Sequence, residues 1–146
     1  MAKDLKDKIS DYLATHPYLN LATVCPDGTP LAHTVGYASE GATVYFVTDR
    51  KSRKARNIAS NPAVAFTVDE DYENLADIQG IQMKGMAEEV TDPAVMQRVM
   101  RMMNEKYPYM KDLPENPDYG FFVITPGEAI FIDNTQGFGH RETMSF

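Results

Sequence analysis

Hydrophobic positions along this chain change period several times, and each change marks an element. Leu5, Ile9, Tyr12 and Leu13 recur at helical spacing, so residues 4–15 predict a capping helix that His16-Pro17 ends. Residues 18–24 then alternate in strand fashion, Cys25-Pro26-Asp27-Gly28 has turn chemistry, and residues 30–38 resume as a strand, which predicts a hairpin. A second turn at Ser39-Glu40-Gly41 leads into a strand over 43–48, completing an antiparallel meander. Residues 51–60 return to helical period, with Ala55, Ile58 and Ala59 facing inward, before Asn61-Pro62 stops them and a strand follows over 63–68.

The second half repeats the alternation. Residues 69–76 are acidic and irregular, a surface loop. A long strand over 77–90 carries Gly80 and Gly85, which suggest bulges or a tight barrel bend. Thr91-Asp92-Pro93 is a strong helix start, opening a helix to about Tyr107 whose Val95, Met96, Val99, Met100 and Met103 make an apolar face. Three prolines make 107–118 a non-regular crossing. Strands over 119–125 and 128–133 flank a Pro126-Gly127 turn, and 134–140 form a glycine-containing tail. About seven strands and three helices, mainly antiparallel, imply a mainly β fold: a small barrel with peripheral helices.

Composition narrows the setting. A chain of 146 residues with 43% apolar content fits one domain, residues 1–146, with a sizeable core. No apolar run approaches the roughly eighteen residues that span a bilayer. The start Met1-Ala2-Lys3-Asp4-Leu5-Lys6 reads as a charged helix rather than a secretory signal, and with Cys25 as the single cysteine a cytoplasmic protein is expected. The acidic balance argues against nucleic-acid partners, because duplex binding needs an extended cationic face.

One segment departs from that balance. Five of the fourteen basic residues lie in Arg50-Lys51-Ser52-Arg53-Lys54-Ala55-Arg56; of the net charge of −7 this cluster contributes +5, leaving −12 on the rest. It falls where a strand ends and a helix begins, so free backbone N–H groups, the helix dipole, the Thr48 and Ser52 hydroxyls and cationic side chains converge on one place. That chemistry suits a single phosphate group on a small molecule.

The order Val47-Thr48, three residues, Ser52-Arg53-Lys54-Ala55, then Asn57-Ile58 and Asn61-Pro62, resembles the phosphate-binding segment of the FMN-binding split-barrel family related to pyridoxamine 5′-phosphate oxidase. The resemblance implies an antiparallel split β-barrel of six to seven strands with about three peripheral helices. It implies FMN as cofactor, with Thr48, Ser52, Arg53 and Lys54 at the phosphate, Thr34, Val35 and Gly36 along the flavin ring, and Val47 as a further cofactor-binding candidate. Gln79, in Gln79-Gly80-Ile81-Gln82, resembles a family position that approaches the flavin. The ending Asp133-Asn134-Thr135-Gln136-Gly137-Phe138-Gly139 resembles that of small bacterial members, and Gln136, Gly137 and Phe138 are cofactor candidates on that ground. The resemblance further implies a homodimer with flavin at its interface, acting on a small-molecule substrate or a nicotinamide donor.

Departures from the oxidases point away from pyridoxamine 5′-phosphate oxidation. Ala32 stands where they carry an arginine to the FMN phosphate, Tyr37 where they carry a substrate lysine, and the chain has no tryptophan. Three readings remain: an FMN-dependent oxidoreductase, a flavin-binding sensor or electron-transfer module without a dedicated substrate, and a split barrel that has lost flavin or uses deazaflavin or haem. His33 reads first as a structural histidine and second as a flavin or substrate contact. Cys25 lacks a neighbouring base in sequence, and no His/Cys/Asp/Glu spacing suggests a metal site.

Overall fold

The computed structural model describes residues 4–146; residues 1–3, the first half of the charged N-terminal start, lie outside the described residues. Eight antiparallel strands form one sheet: β1 (Tyr18–Val24), β2 (Pro30–Gly36), β3 (Ala38–Glu40), β4 (Thr43–Asp49), β5 (Ala63–Val68), β6 (Gln79–Val90), β7 (Tyr119–Asp133) and β8 (Arg141–Ser145). The order is β2-β1-β5-β6-β7-β4-β3, with β8 paired to β7 beyond the end of β4. The two ends of this sheet, β2 and β3, are separated only by Tyr37, so the sheet curls into a split barrel.

Three helices flank it. Helix α1 (Leu5–Thr15) is capped by Asp4, whose carboxylate accepts from the Asp7 N–H, and its Ile9 and Leu13 are wholly buried in the barrel core. Helix α2 (Arg53–Ser60) follows β4, and α3 (Pro93–Lys106) starts at Asp92 with Pro93 in its first turn. Inward residues of the strands, among them Leu19, Leu21, Val44, Phe46, Phe66, Ile81, Phe122 and Ile124, fill the interior, where the Phe46 and Phe122 rings stack with centroids 5.2 Å apart. A second core lies on the outer face: Val99, Met103 and Tyr107 pack over Ala38 and Tyr45. Among the described residues no helix is long and apolar enough to cross a membrane.

The structure departs from the sequence pattern in four places. The strand expected over 30–38 breaks at Tyr37, whose backbone N–H donates to the Tyr107 hydroxyl at 2.9 Å instead of entering a ladder; that hydroxyl donates in turn toward the carbonyls of Pro17 and Tyr37. The expected meander is therefore interrupted, and β4 pairs with β3 and β7 rather than with β2. Pro126-Gly127 is not a turn. Strand β7 runs through it, paired with β6 on one side and with β4 and then β8 on the other, and the register steps from Lys84↔Glu128 to Gly85↔Pro126 as a bulge. A Cβ on Gly85 would come within 2.5 Å of the Thr125 carbonyl oxygen, so this close approach needs glycine, whereas the register is regular at Gly80. Finally, the chain beyond the glycine-containing tail returns as β8, an eighth strand with no earlier counterpart.

Candidate anion and cofactor site

The turn between β4 and α2 is built by Asp49. Its carboxylate accepts from the Lys51 N–H at 2.8 Å and from Asn116 Nδ2 at 3.0 Å, while its carbonyl accepts from the Ser52 N–H. These bonds hold the Asp49 carboxyl below the usual carboxylate range. Ser52 caps α2, accepting from the Ala55 N–H at 3.3 Å, and its Oγ lies 3.5 Å from Oγ1 of the buried Thr48. Two hydroxyls and the helix N-terminus thus face one opening.

Four of the five cations divide by partner, while the fifth, Arg56, lies a turn further along α2, outside the cleft lining. Arg50 Nε meets Glu89 at 2.8 Å and Lys51 Nζ meets Asp118 at 3.0 Å, so nearby carboxylates offset both. Arg53 and Lys54 form no salt bridge among the described residues; an Arg53 guanidinium nitrogen lies 4.0 Å from Cys25 Sγ, and Lys54 lines a cleft of about 1110 Å³.

That cleft gathers Gly36, Val47, Thr48, Ser52 and Lys54 from the sequence-derived candidates. Arg53 is adjacent in sequence but not part of its lining. Thr34 sits on the outer side of β2, where its hydroxyl donates to Asn20 Oδ1 at 3.2 Å, and Val35 points into the core. Gln79, Gln136, Gly137 and Phe138 collect elsewhere: Gln79 pairs with Asp133, Gln136 Nε2 donates to Asp133 Oδ2 at 3.0 Å, and Phe138 is 77% exposed. Phe121, a cleft residue, and Asp133 are separated by roughly 40 Å of strand path. One copy of the chain therefore presents two separate groups of candidates.

The opposite wall of the cleft was not among the sequence-derived site candidates, although Met100 and Met103 read as an apolar helix face. It comes from α3 and the crossing after it, with Met100, Met103, Tyr107 and Tyr109 joined by Tyr18 of β1. The Tyr18 and Tyr109 hydroxyls are 3.4 Å apart. Their signal was the tyrosine-rich, proline-rich run directly after an amphipathic helix, visible as composition but without a partner to give it meaning. A Cβ on Gly36 would meet the Tyr107 ring at 3.3 Å, so the glycine lets β2 and that wall close together.

The histidines lie outside the cleft lining. His33 Nε2 is 3.1 Å from Thr23 Oγ1, and the His16 ring stacks on Tyr12 with its Nε2 2.9 Å from Glu70. No group of three or more metal-ligating side chains occurs among the described residues.

Comparison with known proteins supplies the family. A family model described as pyridoxamine 5′-phosphate oxidase matches residues 5–133. General stress protein 26 of Bacillus subtilis is 33% identical over 75 residues, a match covering 51% of this chain and about half (53%) of that relative's length. Among solved structures, general stress protein 26 of Bacillus anthracis superposes with a TM-score of 0.74 at 24% identity, covering 97% of this chain and 98% of that one. A haem-binding protein of Mycobacterium smegmatis superposes with a TM-score of 0.81 at 16% identity, over 99% of this chain and 60% of that one. At these identities the structural likeness is one of fold. The family match, which spans α1 through β7, is broader, and by it the chain belongs to the pyridoxamine 5′-phosphate oxidase family.

Proposed function

We propose that this protein is an FMN-binding flavoprotein that holds the cofactor's phosphate at the entrance of α2 and serves as an oxidoreductase for a small substrate. The observation that carries this reading is Lys54: a half-buried cation with no salt bridge among the described residues, lining the cleft beside the Thr48 and Ser52 hydroxyls, while Arg50 and Lys51 are offset by Glu89 and Asp118. Hydroxyls, an ammonium and a helix N-terminus together are the donor set of a phosphate monoester. They are not the ligand set of a haem iron, which favours FMN over the haem named for one structural neighbour.

In this reading Thr48, Ser52 and Lys54 bind the phosphate, with Arg53 adding positive potential. Gly36 and the tyrosine wall exclude water from the ring. When bound, FMN supplies the hydride or electron transfer. The chain supplies no pyridoxamine 5′-phosphate clamp at Tyr37, which is wholly buried with its hydroxyl donating to the Leu13 carbonyl at 2.7 Å, and Ala32 leaves the FMN phosphate one cation fewer than in the oxidases. The separate group of Gln79, Gln136, Gly137 and Phe138 fits a homodimer in which the second copy completes the site. A reducing, cytoplasmic setting goes with the buried thiol of Cys25.

The test is to purify the protein, record its visible spectrum and identify any released chromophore by mass. Flavin absorbance and the mass of FMN support the reading. A Soret band with released haem, or failure to take up added FMN at micromolar concentration, overturns it.

A further inference from the structure

Beneath the α2 entrance lies a polar network that phosphate binding alone does not use. Asn57 and Thr23 are almost wholly buried, at 2% and 1% exposure, and Asn57 Nδ2 donates to Thr23 Oγ1 at 3.0 Å. The same Thr23 oxygen lies 3.1 Å from His33 Nε2. Since Thr23 already accepts from Asn57, its own proton needs an acceptor, and among the described residues His33 Nε2 is the one within reach. The neutral imidazole consequently carries its proton on Nδ1. A threonine oxygen has two lone pairs, however, so with a small rotation it can accept from a protonated Nε2 as well as from Asn57. Protonating the ring therefore keeps the Thr23–His33 contact with its direction reversed, at the cost of turning the Thr23 proton away from its acceptor.

Burial and the nearby charges act on the ring in the same direction. Burial holds the His33 pKa below the ordinary histidine value, and the positive charges of Lys54 and Arg53, on α2, lower it further. From the β1–β2 turn, Cys25 Sγ lies 3.6 Å from Asn57 Nδ2, and the Asp27 carboxylate is turned toward Thr29, from which it accepts two hydrogen bonds. No carboxylate pairs with His33 among the described residues.

We propose that His33 is the proton-coupled member of the anion site: when a phosphate-type dianion binds at Ser52 and Lys54, next to Arg53, His33 takes up a proton, with Thr23 and Asn57 positioning its ring. This rests on the reading of the α2 entrance as an anion site. A dianion there offsets the two cations that, after burial, lower the ring's proton affinity. Binding and protonation therefore reinforce each other.

Sulfate is the probe, because unlike phosphate it stays dianionic across the relevant pH range. Histidine-selective proton–nitrogen NMR on the full chain reads both tautomer and titration midpoint, while the Ser52 and Lys54 amide shifts report sulfate binding. The expected result is an Nδ1–H tautomer in the free protein and a His33 midpoint that moves upward at saturating sulfate. Sulfate affinity rises by up to about tenfold per pH unit as pH falls between the two midpoints. His33→Asn flattens that rise, and Thr23→Val releases the tautomer preference. Sulfate binding with an unmoved His33 midpoint, or an Nε2–H tautomer in the free protein, overturns the proposal alone. Absence of sulfate binding at Ser52 and Lys54 overturns the anion-site reading and this proposal with it.

Discussion

The Tyr107 hydroxyl accepts the Tyr37 backbone N–H at 2.9 Å, tying the end of α3 to the single residue that separates β2 from β3. A side chain seventy positions away thus replaces a sheet partner. Tyr107 is 5% exposed, and burial pushes its phenol up to about 12. Tyr107→Phe keeps the ring but leaves the Tyr37 N–H and the Pro17 carbonyl without this partner. A loss of about 1–3 kcal/mol is expected in urea denaturation followed by circular dichroism.

Gly36→Ala tests the same junction by adding volume. The new methyl meets the Tyr107 ring at 3.3 Å, so ring or strand must shift. The expected cost is about 1–3 kcal/mol, with weaker FMN binding because the displaced ring borders the cleft. Equal stability and equal affinity in the variant would show that the wall has room to give.

Lys106 sets a pH dependence. Its ammonium lies 3.6 Å from the Tyr37 ring centroid and donates to the Leu13 carbonyl; both contacts favour the cation, but burial outweighs them and lowers its pKa to about 8. Because the unfolded chain holds this proton up to its ordinary value near 10.5, the unfolded state binds more protons between those limits. Stability from this group therefore rises with pH above about 8. Tyr37 and Tyr107, both raised, act in the opposite sense above pH 10. Denaturation midpoints between pH 7.5 and 9.5 should climb in the wild type, and Lys106→Met should flatten the climb.

The division of the basic run by partner makes a prediction that a simple charge count does not. Lys54→Ala should weaken FMN binding by about tenfold or more, whereas Lys51→Ala, which removes a cation already paired with Asp118, should change it by less than about threefold. Ser52→Ala should do two things at once, lowering affinity and costing about 1 kcal/mol of stability through the lost cap. Isothermal titration with FMN beside thermal melts separates the two effects.

What the sequence made legible was local. The bounds of α1, β1 and β5 follow from period and from flanking prolines, and the Thr48-to-Lys54 segment reads as an anion site because strand end, cap and cations are contiguous. Features set by distant pairing were not legible. Pro126-Gly127 has turn composition, yet pairing with β6 before and after the bulge carries it along in β7, and Tyr37 leaves its strand where Tyr107 lies beside it. The same applies to the site: Glu89 and Asp118 offset Arg50 and Lys51 from 39 and 67 residues away, and the tyrosine wall needs the fold to bring Tyr18 to Tyr109.

The central claim, that the α2 entrance holds a cofactor phosphate, is tested most directly by titrating the protein with FMN and with riboflavin, which differ by that phosphate alone, in wild type and Lys54→Ala. FMN should bind at least about tenfold more tightly than riboflavin to the wild type, and Lys54→Ala should close most of that gap. Equal binding of the two flavins to the wild type, or a gap that Lys54→Ala leaves intact, would contradict it.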